Sequence, residues 1–200
     1  MIFDLTQPES PHNYRLLSGG VTPRPIAWIS TRSKSGVDNL APYSFFTVAS
    51  CQPPVLLFTQ VTPRDAMDKD TLRNLMETGE CVVNIVTADL LEKMNKTSAS
   101  IKADESEFRF AQVSSCQSHS VQVLGVSDSP IRYECTLREL HRISESPSGG
   151  TVILLDVKSV YVNDALLNDS EINQSLLDSV GKMGGDRFSL TTNQLELKRP

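Results

Sequence analysis

No segment of this chain approaches the ~18 consecutive apolar residues of a membrane-spanning helix, and the start, MIFDLTQPESPHNY, has no basic stretch leading into an apolar one. A protein that is neither exported nor inserted is therefore expected. Cysteine is scarce and unpaired: Cys51, Cys81, Cys116 and Cys135 stand far apart, with no CxxC and no histidine at zinc-ligand spacing. That excludes a zinc-finger pattern and points to isolated thiols in a reduced, cytoplasmic setting. Cys81 in GECVVNIV and Cys135 in YECTL lie in alternating apolar runs, where cysteine serves as a small buried hydrophobe. Positive charge is not in excess either, with 19 Lys+Arg against 24 Asp+Glu. Nucleic acid is thereby disfavoured, although a few amides and cations can still hold one phosphate on a small ligand.

The usual catalytic signatures are missing as well. There is no GxSxG elbow, no HExxH, no P-loop and no GxGxxG after a strand, which disfavours hydrolases and Rossmann enzymes. His12, His119 and His141 are widely separated, and each reads as an ordinary polar residue rather than a base or ligand.

What is present is an ordinary globular composition, 39% hydrophobic over 200 residues, with no internal repeat and no Gly/Ser linker. One domain over residues 1–200 is expected. Short runs rich in β-branched residues and bounded by Pro, Gly or polar clusters predict strands at 25–31, 45–49, 55–60, 81–87 and 151–162. RYECTLRELH, at 132–141, has the period of a half-buried strand. KDTLRNLMET, closed by Gly79, predicts an amphipathic helix over 69–78, and ADLLEKMN a second over 88–95. A helical piece is expected within 171–179. The serine-rich stretch 113–129 reads as a long surface connection or lid. The architecture is mainly β with a few short covering helices, which favours a barrel.

Two stretches hold the candidate chemistry. In VTPRPIAWIS, Pro23 and Pro25 flank Arg24 and hold the backbone extended, short of N–H donors. In NLAPYSFF, Ala41 and Pro42 interrupt a strand where regular ladder pairing is not expected to persist, leaving backbone groups free for a flat ligand or marking only a bulged hairpin. KDTLRN reads in two ways: a helix capped by Asp70, or an anion site built from Lys69, Thr71 and the first helical amides. Trp28, an isolated large residue in a strand, marks either core or a face covered by a partner copy.

At these residues the sequence resembles the flavin reductase-like family, which includes flavoredoxin and the reductase components of two-component flavin monooxygenases. GGVTPRPIAWIST, NLAPYSFFTVASCQPPVLLF, KDTLRNLMETGECVVNIV, EKMNKTSA, SPIRYECTL and GKMGGDRF carry it, in the family's order, over residues 18–188. The resemblance implies a six-stranded Greek-key split β-barrel, a homodimer, and FMN, with FAD as the alternative, in a groove near the subunit interface. It places Pro25, Ile26 and Ala27, and Ala41, Pro42, Tyr43 and Ser44 with Leu40, along the isoalloxazine and ribityl chain, largely through backbone. Thr31, Asn39, Lys69, Asp70 and Thr71 would serve the phosphate end, with Arg24 and Arg187 as further candidates. Gly184 and Gly185 would allow close approach to the ring or nicotinamide. Lys182, where an arginine is commoner, and Val123, Leu124 and Gly125, in place of a Pro-Arg pair, depart from the pattern at the second substrate's entry.

The implied activity is an NAD(P)H-dependent flavin reductase with no catalytic side chain, since the cofactor carries the chemistry. Its partners would be flavin, nicotinamide, and a monooxygenase or electron-transfer protein. The alternatives are a flavoredoxin-like carrier that keeps its FMN, and a non-enzymatic module for another flat ligand such as haem, for which no histidine motif speaks.

Overall fold

The computed structural model describes residues 1–6, 12–63 and 68–199. Helix α1 (Asn13–Gly20) leads into β1 (Arg24–Pro25), β2 (Ala27–Arg32), β3 (Asp38–Tyr43), β4 (Phe46–Cys51) and β5 (Pro54–Val61). Then come α2 (Asp70–Thr78), β6 (Glu80–Ile85), α3 (Leu91–Lys96), α4 (Glu107–Phe110) and the two-residue strands β7 (Ser115–Cys116) and β8 (Gly125–Val126). The long hairpin β9 (Ile131–Arg142) and β10 (Gly150–Val162) precedes β11 (Leu167–Asn168), β12 (Glu171–Ile172), α5 (Gln174–Leu177), β13 (Val180–Lys182) and β14 (Phe188–Leu190).

The principal sheet is antiparallel, in the order β3-β2-β6-β9-β10-β5-β4. Its two edge strands, β3 and β4, are consecutive in the chain and joined only by Ser44 and Phe45. A flat seven-stranded sheet cannot bring its edges that close, because neighbouring strands are ~4.8 Å apart. The sheet must therefore curl until the edges meet. The Tyr43 and Phe58 rings touch across the seam, their centroids 4.9 Å apart. Edges that meet without a continuous ladder make this the split barrel that the sequence led us to expect.

The strand beyond the expected six is β3. Ladder pairing does persist across Ala41 and Pro42, as far as Tyr43: Ile29 faces Ala41 and Trp28 faces Pro42. At a sheet edge one side of the strand makes no ladder bonds, so proline is tolerated there. The barrel interior is filled by Ala27, Ile29, Tyr43, Leu56, Phe58, Val83, Ile153 and Leu155, together with Cys81 and Cys135, which face one another across β6 and β9. Both thiols are fully buried, and all four cysteines are free. The outer face of β2 is covered too, since Trp28 packs with Leu40, Val86, Leu90, Met94 and Phe108 beneath α3 and α4. Trp28 is thus core of its own chain.

One further expectation changes and another holds. The stretch 113–129 is no lid: Val121 and Val123 bury against Val82, and the carboxylates of Glu80 and Glu134 accept its amides at Gln122 and His119 at 2.8 and 2.9 Å. The short helical piece expected within 171–179 is Gln174–Leu177, after the short strand Glu171–Ile172.

Candidate functional site

A groove of about 420 Å³ opens beside the barrel seam. One wall is β3, through Asn39, Ala41, Pro42 and Tyr43; a second is the approach to α2 and its first turn, from Asp68 to Thr71 with Arg73; a third is the loop 97–101 with Ala103; and Glu107 of α4 closes the base. Its volume falls within the ~300–1,000 Å³ of small-molecule sites.

Helix α2 begins at Asp70, with Lys69 in extended conformation as the N-cap and no side-chain cap. Asp70 is therefore the first helical residue, not the cap, and its carboxylate is engaged by Arg73. The first N–H groups of a helix have no intrahelical acceptor, so the start of α2 offers donors and a partial positive charge to the groove. The Lys69 ammonium lies 5.7 Å from the centre of the Tyr43 ring, and partial burial lowers its pKa.

Behind these residues runs a buried polar relay. Asn39 Oδ1 accepts from Thr71 Oγ1 at 2.9 Å and from Thr31 Oγ1 at 3.2 Å, and Asn74 Nδ2 donates to Thr31 Oγ1 at 3.0 Å. Asn39 Nδ2 and the Leu40 N–H both donate to Glu107 Oε2, at 3.1 and 3.0 Å. Burial raises the Glu107 pKa, opposed by those two bonds, and the Asp70 carboxylate pushes it the same way as burial. Tyr43 differs from the others. Only 5% of it is exposed, burial drives its pKa up against the opposing pull of the nearby Thr71 hydroxyl, and its own hydroxyl makes no hydrogen bond of ordinary geometry among the described residues.

The structure thus brings Asn39, Ala41, Pro42, Tyr43, Lys69, Asp70 and Thr71 to one groove. Thr31 and Leu40 are fully buried behind it, and Ile26 and Ala27 lie in the core. Arg24, Pro25 and Ser44 line a separate, mostly apolar hollow of about 470 Å³ with Leu17, Phe45 and Phe46. Arg24 is engaged on every side. It donates to the Ser18 carbonyl, to the Val21 carbonyl at 2.8 Å, to the Met183 carbonyl at 3.2 Å and to Ser44 Oγ at 3.4 Å, and it lies over the Phe45 ring. Gly184, Gly185 and Arg187 sit on the β13–β14 turn, where Lys182 donates to the Gly185 and Arg187 carbonyls. They line none of the groove.

Sequence reasoning missed the loop 97–101 and Glu107. EKMNKTSA, residues 92–99, runs into the loop, so that motif was its signal; the loop is tied to the core by the Trp28 indole N–H, which donates to Thr97 Oγ1 at 2.9 Å. Glu107 lies in SEFRF, a segment with no signature of its own.

This barrel, with a groove at its seam, is that of the flavin reductases. The chain belongs to the family of the flavin reductase like domain, whose model matches residues 19–182. It is 35% identical to the uncharacterized protein YwrF of Bacillus subtilis, over 100% of this chain and 98% of that protein. Nitrilotriacetate monooxygenase component B from Bacillus cereus superposes with a TM-score of 0.92 at 29% identity, covering 98% of each chain. The 2-nitrobenzoate 2-nitroreductase NbaA of Pseudomonas fluorescens gives 0.90 at 25% identity, over 100% of this chain and 96% of its own.

Proposed function

We propose that the chain is an NAD(P)H-dependent flavin oxidoreductase that binds FMN in the seam groove. The observation that carries this reading is the Tyr43 hydroxyl, buried beside Thr71, Lys69 and the start of α2 without a hydrogen bond of ordinary geometry among the described residues. A buried hydroxyl without a partner costs about 1–3 kcal/mol, a penalty that an acceptor entering the groove would remove. Lys69, Tyr43 and the amides of Asp70 and Thr71 form a donor set suited to a phosphate monoester, with Asn39 and Thr71 fixed by the relay behind them. FMN suits that set, and FAD is the alternative. The backbone of Pro25 and of Ala41, Pro42, Tyr43 and Ser44 would border the ring, with Gly184 and Gly185 allowing close approach to the ring or the nicotinamide.

When bound, the isoalloxazine supplies the hydride-accepting N5 that no side chain here provides. The protein's own part is to hold the phosphate end, align the ring and exclude water. Exposed Tyr14, Leu17, Val21 and Val48 support burial by a second copy. The similarity to a monooxygenase component B supports a role in passing reduced flavin or electrons to a partner enzyme. Among the described residues no helix is long and apolar enough to cross a membrane, and a cytoplasmic location belongs to the same proposal.

Purified protein should show flavin absorption bands, or acquire them with FMN, and should oxidise NADH or NADPH when FMN is supplied. Flavin retained through dialysis with no nicotinamide oxidation would replace the reductase reading by that of a carrier. A haem Soret band would overturn both.

A further inference from the structure

The placement of Glu107 reaches beyond support of Asn39. Its side chain lines the groove although the residue is only 6% exposed. The bonds from Asn39 and Leu40 both end on Oε2. From that oxygen the relay runs through the Asn39 amide to Thr71 Oγ1, in the first turn of α2, where the phosphate-binding donors lie.

The charges around the carboxyl are few and mostly committed. From the α2 side come Asp68, paired with Arg142, then Lys69, and Asp70 and Arg73, paired with each other. From β3 comes Asp38, paired with Arg32, and from α4 itself comes Arg109, whose charge acts on Asp38. Among the described residues no cation makes an ion pair with Glu107. A phosphate arriving one amide away adds a like charge to a poorly solvated region, which favours the neutral carboxyl.

We propose that Glu107 makes phosphate binding in this groove proton-linked: its carboxyl takes up a proton from solvent as the anion enters, so that the phosphate-bearing ligand gains over its phosphate-free counterpart as pH falls. This rests on the groove being the phosphate end of a flavin site. The sign follows from linkage. A complex that holds more protons than the free protein is favoured at low pH, and the advantage is lost as pH rises through the Glu107 pKa of the complex. The ligand phosphate, with its second ionisation near ~6, works in the opposite direction, and Lys69 adds its own titration at higher pH. Both are common to wild type and to a Glu107→Gln variant, so the difference between the two proteins isolates Glu107.

The test is calorimetric titration of the protein with FMN and with riboflavin between about pH 5.5 and 8.5, in two buffers of different ionisation heat. In wild type the FMN-to-riboflavin affinity ratio should fall with rising pH, relative to Glu107→Gln, by about tenfold for each unit by which the anion raises the carboxyl's pKa. Proton uptake specific to FMN should accompany it, and Glu107→Gln should bind FMN more tightly than wild type at the upper end. Parallel pH profiles for the two proteins would overturn the proposal. If Glu107→Gln fails to fold, infrared difference spectra of wild type decide instead: a protonated-carboxyl band should appear with FMN and not with riboflavin, and its absence overturns the proposal. Binding of neither flavin would sink the reading of the groove itself, and this inference with it.

Discussion

The groove at the seam and the hollow around Arg24 lie at opposite ends of the same short segment, Asn39 to Ser44, and both contain a cation beside an aromatic ring. They differ in what their polar groups have left to give. Arg24 spends its guanidinium on carbonyls of the α1 end and the Met183 turn and on Ser44, and so pins the two termini of the fold to the seam. In the groove, among the described residues, Lys69 makes no ion pair and the Tyr43 hydroxyl no hydrogen bond of ordinary geometry. Residue type alone does not separate a structural cation from a binding one; the accounting of its donors does.

The strongest way to break this comparison is Arg24→Met. It leaves the buried Ser18 carbonyl and the partly buried Val21 and Met183 carbonyls without this donor, and hydrogen bonds to a charged group are worth about 1.5–3 kcal/mol each, so a loss of roughly 3 kcal/mol of folding stability is expected in denaturant titration. The FMN-to-riboflavin affinity ratio should stay unchanged; a fall in that ratio would move Arg24 into the phosphate site. Lys69→Ala should do the reverse. Losing one charge-assisted contact of about 1.5–3 kcal/mol weakens FMN by roughly one to two decades, leaves riboflavin nearly unaffected, and changes folding stability by less than about 0.5 kcal/mol. Equal loss for both flavins in a fluorescence titration would count against phosphate recognition.

Tyr43→Phe has the smallest effect and the sharpest sign. The ring keeps its contact with Phe58 while an unsatisfied hydroxyl disappears, so the free protein should become more stable by up to about 1 kcal/mol. FMN affinity should fall by roughly threefold to tenfold, in line with a hydrogen bond of about 0.5–1.5 kcal/mol. A free protein destabilised by this change would mean that the hydroxyl already has a partner.

Much of the barrel was legible because its signals are local. Alternating apolar residues located β2, β5, β6, β9 and β10 to within a residue or two, and Gly79, in the left-handed conformation, closes α2 as its position after an apolar stripe implied. β3 was hidden because proline is tolerated or forbidden in a strand according to whether that strand lies at an edge, and edges are set by residues far away in the chain. The packing of Val121 and Val123 was masked by the serines around them, since their partner Val82 lies some forty residues earlier. At the site, Lys69, Asp70 and Thr71 could be found because a helix start announces itself. Glu107 could not, because its meaning lies in Asn39 and Leu40, across the fold.

The hydrogen bond from Trp28 to Thr97 gives the molecule a built-in optical probe. Trp28 is the chain's one tryptophan, it is fully buried, and its indole N–H is anchored to the loop that forms one wall of the groove. Its emission therefore reports from a single known point, and loosening of that wall or loss of the core around α3 would change the indole's surroundings without any label being attached. Isoalloxazine absorption overlaps tryptophan emission, so a flavin seated beyond Thr97 would quench this residue by energy transfer. Excitation at the indole band would then follow occupancy of the groove and unfolding of the barrel in the same sample.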